Sequence, residues 1–200
     1  MKKNTLSILL IFVLSFSLSA GGPWVKGKKK GYFQLSFTSL QYDELLNGFQ
    51  DPNSGLNREV TDLTLQAYLE YGPGKNWQVE MALPFKLLKT GDQLLDVPGN
   101  LYPADTLAAG KLNAFGNIHM AVKYLILDGK FKMAGKLSMG AKTAEYDSIT
   151  GLRSGYDAWY FAPSFSVGRG YRNFYYFTEA GYRFKTNGYS SDFLFTLEAF

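Results

Sequence analysis

His119 is the single histidine of this 200-residue chain, which contains no cysteine. A histidine-cluster metal site is therefore out of reach, and zinc–thiolate and disulfide chemistry are excluded. One arrangement around His119 could do chemistry. Strand pairing is expected to set Ser138 opposite it, as a base stands beside a nucleophile. No acid to orient the imidazole and no oxyanion donors accompany the two residues. A polar pair bonded to water and to its neighbours is the favoured reading, and no enzymatic activity is expected. A second set is formed by charges recurring on one polar face: Asp62, Glu70, Glu80, Lys86, Lys123, Lys136, Glu179 and Arg183, with Lys132 and Lys142 in phase with them. Such charges either guide a permeant or neutralise one another while filling an interior, and the filling network is favoured. No phosphate loop, Ca²⁺ loop or nucleic-acid motif is present, so neither a cofactor nor a nucleic-acid partner is implied.

These residues sit on segments that alternate apolar and polar side chains. Residues 61–71 are the clearest case: Leu63, Leu65, Ala67, Leu69 and Tyr71 share one face, and Asp62, Thr64, Gln66, Tyr68 and Glu70 share the other. A period of two marks a strand with one face in an apolar medium. The same pattern predicts strands over 31–42, 77–87, 115–127, 130–143, 158–168 and 174–185, with a last strand opening after residue 191. Long polar loops at 43–60, 88–114 and 144–157 alternate with short turns at 72–76, 128–129 and 169–173. The tight turns therefore gather at one end, together with Tyr71, Trp77, Tyr124, Phe131 and Phe174.

Two registers follow from the turns. Asp128-Gly129 as a two-residue hairpin turn pairs Met120 with Leu137 and His119 with Ser138. A turn at 72–76 pairs Tyr71 with Trp77 and Asp62 with Lys86. Both registers keep apolar against apolar, whereas a one-residue slip would invert every side chain.

Residues 1–20 read as a signal peptide, with Lys2 and Lys3 ahead of an apolar run and small residues near Ala20. The run is shorter than the ~20 residues of a membrane helix, which disfavours a retained anchor. The count of 21 Lys and Arg against 17 Asp and Glu gives +4. Without Lys2 and Lys3 it is 19 against 17, or +2, which is no nucleic-acid footprint. Sixteen Phe, fourteen Tyr and three Trp suit the aromatic girdles of a membrane barrel. The expected fold is thus all-β: an antiparallel transmembrane β-barrel over residues 31–200, about eight strands of a larger barrel, in the outer membrane of a Gram-negative bacterium. A soluble lipocalin-like barrel with its apolar face inward is the competitor. Predicted strands of about 11–14 residues favour the membrane, since globular strands cluster near 5–6. Residues 21–30 are expected to form a periplasmic segment. Its lysines at 26–30 read as solvated at the mouth in preference to touching anionic lipid.

The stretch Asn113-Ala114-Phe115-Gly116, followed by Lys123-Tyr124, resembles the N-A-F-G…K-Y strand of outer-membrane barrels filed under the "meta-pathway of phenol degradation" name. The likeness extends to Gly151-Leu152-Arg153-Ser154-Gly155-Tyr156-Asp157, to Gly181-Tyr182-Arg183-Phe184-Lys185-Thr186-Asn187-Gly188-Tyr189 and to residues 24–33. It implies passage of small, often hydrophobic or aromatic compounds, and no enzyme of phenol breakdown. Family members run longer than 200 residues. Phe200, out of phase with Phe193, Phe195 and Leu197, also leads us to expect native chain beyond it. The expected function is a passive, porin-like channel or uptake route, with outer-membrane lipid and a small permeant as partners. A structural or surface-interaction barrel is the alternative, and an enzyme is a distant third.

Overall fold

The computed structural model describes residues 22–42, 58–91 and 108–200. The signal-peptide reading of 1–20 and most of the first two long loops lie outside the described residues. The described chain is nine antiparallel strands: β1 (Gly31–Tyr42), β2 (Val60–Tyr71), β3 (Trp77–Thr90), β4 (Gly110–Phe115), β5 (His119–Asp128), β6 (Lys132–Gly140), β7 (Tyr160–Gly170), β8 (Tyr175–Lys185) and β9 (Asp192–Ala199). They form one sheet in the order β1-β2-β3-β5-β6-β7-β8-β9, and β4 continues the line of β5 along β3. Twist between neighbouring strands curls such a sheet, and here it curls into an open half-barrel. The outer edges of β1 and β9 carry no strand partner among the described residues.

Alternation sorts the side chains as expected. Phe37 on β1 and Leu197 on β9 stand on the convex face, 67% and 71% exposed, while Glu70 and Lys123 on the concave face are each only 4% exposed. The division runs along every long strand, since consecutive Cβ atoms point to opposite faces.

Both predicted registers are off by two residues. Met120 faces Met139, and His119 faces Gly140 while Ser138 faces Ala121. Asp128-Gly129 is not a two-residue turn. The ladder ends at Asp128 and Lys132, leaving three residues in the loop and Ile126 bulged out of the pairing. Likewise Tyr71 pairs with Val79, and Trp77 pairs on its other side with Tyr124. At the second of these turns the N-terminal segment docks on the end of β2. Gly72 gives its N–H to Lys30 O (2.9 Å) and accepts from Lys29 N (2.7 Å), so β2 ends on that segment. A Cβ on Gly72 would lie 2.6 Å from Lys26 O, so only glycine admits this approach. Because both shifts are even, the face assignments survive.

The strand predicted over 115–127 is broken. Phe85 pairs with Phe115 and Ala82 with His119, so residues 116–118 stand opposite only Leu83 and Pro84. This one-residue bulge swaps parity between β4 and β5. Pro84 has no N–H to offer a ladder, and its carbonyl accepts from Gly116 N at 2.9 Å.

Candidate functional site on the concave face

All the candidate residues chosen from the sequence lie on the concave face, and most are joined in ion pairs. Lys123 Nζ meets Glu80 Oε1 at 2.9 Å, both nearly buried. Lys136 Nζ meets Glu179 Oε1 at 2.7 Å, and Ser164 donates to the same carboxylate oxygen. Lys86 Nζ reaches Asp62 Oδ2 at 2.6 Å. That contact is diagonal: the residues directly opposite are Thr64 for Lys86 and Leu88 for Asp62, and a long side chain spans the offset. Arg183 shares Asp192 with Lys185 (3.7 and 2.5 Å). Lys132 pairs with Asp128 at the tight-turn rim and Lys142 with Asp157 beyond its strand.

His119 and Ser138 share the face but not a register position. His119 Nδ1 lies 2.5 Å from Tyr160 Oη, with the two rings stacked. Gly140, opposite His119, leaves the space that the Tyr160 ring fills. The serine–histidine pairing expected from the sequence is therefore corrected to a histidine–tyrosine contact, because the two-residue shift carries Ser138 down to Ala121.

The sequence leads us to expect residues 21–30 as a periplasmic segment with its lysines solvated at the mouth, and the described part of it, 22–30, lies against the sheet. In the structure Pro23 is fully buried, and Trp24 packs edge-on against Tyr175 and Phe177 of β8 at 5.5 and 5.8 Å. Two residues on, Lys26 Nζ pairs with Glu70 of β2 (2.9 Å), and its N–H donates to Gln78 of β3 (2.7 Å). The segment thus crosses the concave face and ties β2–β3 to β8. Gln78 passes the tie onward by donating to Glu80. Beside it lies a cavity of about 280 Å³ lined by Trp24, Glu70, Lys123, Tyr175, Phe177 and Glu198. The period-two pattern could not reveal this placement, since the segment is not a strand. The cue available was a lone Pro-Trp ahead of the lysines.

The opposite end is covered by the loop at 144–157, which forms a small hairpin held by the Tyr146–Arg153 bridge. Its Leu152 packs with Val60, Leu88 and Leu112, and Arg58 donates to Thr150 O at 2.6 Å. The bulge receives it: Ser154 Oγ donates to Phe115 O, and Asn117 bonds both the N–H and the carbonyl of Tyr156. Asp147 accepts from Ile149 N (3.0 Å) and Thr150 Oγ1 (2.7 Å). These bonds, the Thr150 hydroxyl first, hold its carboxyl below the ordinary aspartate range. A second cavity of about 320 Å³ lies under this loop, with Lys86, Tyr156, Tyr160, Arg183 and Lys185 on its walls.

No family model matches the chain, and no curated protein matches it. The likeness around residues 113–124 thus remains one of motif alone.

Proposed function

We propose that the chain is a β-barrel protein of the Gram-negative outer membrane, exported by its N-terminal signal, and acts as a passive channel or uptake route for small molecules. The division of the sheet carries this reading. The convex face is apolar along the eight longer strands, of 8–14 residues, while charges of both signs line the concave face, as in a wall between lipid and a wet interior. The two cavities at opposite ends of the concave face supply room for a solute. A preference for hydrophobic or aromatic permeants rests on the family resemblance.

One observation favours a second reading, a structural or surface-binding barrel without transport. The concave charges are largely neutralised in ion pairs, and side chains that pair across an interior fill it. Fractionation, single-channel recording and liposome swelling with the full-length protein separate these outcomes. The channel reading expects outer-membrane recovery, faster migration of the unheated sample on a gel, and solute entry. Recovery as a soluble protein that needs no detergent would end the membrane reading. Correct insertion with no conductance and no swelling would leave the structural barrel.

A further inference from the structure

We propose that the tight-turn rim is a docking belt for anionic phospholipid head groups in the leaflet it faces. The inference rests on the membrane reading above and adds the lipid class and the residues. Four separate stretches of chain, around residues 27–30, 72–76, 129–131 and 169–173, converge on this rim. They place exposed Lys28, Lys29, Lys30, Lys75, Lys130 and Arg172 along it. Among the described residues the rim's exposed carboxylate is Asp128, and it is already paired with Lys132. The long-loop end differs: exposed Glu59, Glu145 and Asp157 stand among its cations. Among the described residues the basic field is therefore a property of one rim and not of the net charge.

The backbone that carries Lys29 and Lys30 is held in place. Lys30 N donates to Gly27 O at 2.9 Å, closing a turn in which Lys29 adopts φ +60°, and Lys29 N is anchored on Gly72 O. A lysine in the left-handed region is uncommon, and here it presents three successive ammonium groups outward from a fixed bend. Rings mark the depth. Trp77 and Tyr124 pack at 4.6 Å just inside the rim, on the convex face, where amphipathic rings sit at head-group level. Arg169 lies over Phe131 and Tyr171 at 5.3 and 4.5 Å, so its guanidinium is oriented by cation–π contact. Cations beside interfacial rings attract an anionic bilayer surface within about a Debye length.

The test uses the protein in phosphatidylcholine vesicles containing traces of spin-labelled phosphatidylglycerol or spin-labelled phosphatidylcholine. The motionally restricted fraction of each is read by electron paramagnetic resonance. The expected result is a preference for phosphatidylglycerol of about twofold or more, weakened by salt. It should fall to about one when Lys28, Lys29, Lys30, Lys75, Lys130 and Arg172 are changed to Gln. A Lys→Arg variant at the five lysines should keep the preference, as should Lys89→Gln with Lys111→Gln at the other rim. Equal restriction of both lipids by the native protein overturns the belt and leaves the membrane reading standing. So does an equal loss on neutralising the long-loop rim. Competition by inorganic phosphate beyond that of chloride at the same ionic strength would point to a phosphate site and overturn it too. No restricted fraction for either lipid removes the membrane reading and this proposal with it. If the Gln variant does not fold, the salt dependence and the Arg variant still decide.

Discussion

Glu80 and Lys123 meet diagonally across β3 and β5, Glu80 standing opposite Ala121 and Lys123 opposite Gln78, with almost no water access. Two charges removed from water attract strongly, but each loses its hydration, and the pair is at risk when one member is removed. Glu80→Gln or Lys123→Met alone should destabilise the folded protein by about 3–5 kcal/mol in urea titrations, with Glu80→Gln plus Lys123→Met recovering a large part of the loss. Additive losses would show that the two act independently. At the same scale, Gly140→Ala should push the Tyr160 ring off its seat and break the contact with His119. An overpacking cost of about 1–3 kcal/mol is expected, read as a lower unfolding midpoint. The alternation placed Glu80, Lys123 and His119 together on one face, as the pairing has them. It could not choose their partners, because a strand's parity is blind to even shifts in register.

Register belongs to the scale of elements and can be checked cleanly, since the chain has no native cysteine. Ala121→Cys with Ser138→Cys should crosslink readily under mild oxidation, and His119→Cys with Ser138→Cys should not, because the first pair is directly opposed and the second is offset. The reverse yield on non-reducing gels would restore the register expected from the Asp128-Gly129 turn. The hairpin at 144–157 adds a pH dependence. Folding lowers the Asp147 pKa, so its bonds to Thr150 and Ile149 stabilise the hairpin fully above the ordinary carboxylate range. That contribution is lost as pH falls below the range toward the depressed value. Protease cutting within 144–157 should therefore increase as the pH is lowered into that interval. In Asp147→Asn cutting should already be raised at neutral pH and stay flat. The loop was legible as a loop from its composition. Its inward fold was not, because that depends on the Asn117 bulge and on Arg58, remote in sequence.

For the whole molecule, the crossing of residues 22–26 from β2–β3 to β8 gives the proposed channel function a direct test. Trp24→Ala should loosen the tie and enlarge the cavity beside Tyr175 and Phe177. Single-channel conductance, or the liposome-swelling rate for one solute, should rise at least about twofold if the constriction sits there, since lumen width governs flux. Unchanged flux with correct insertion would place the limiting constriction elsewhere, with the hairpin at 144–157 the next candidate. The sequence alone determined the all-β class, most strand positions, the division into apolar and charged faces, and the gathering of tight turns at one end. These follow from local rules: a period of two and turn residues are written in neighbouring positions. Only the tertiary structure decided the two-residue registers, the bulge that splits β4 from β5, the histidine–tyrosine contact and the two segments folded onto the concave face. Each of those is a choice among partners distant along the chain. Curling the sheet brings Trp24 to β8 and Arg58 to Thr150, and no local pattern encodes which of the reachable groups will satisfy a buried charge or a backbone N–H.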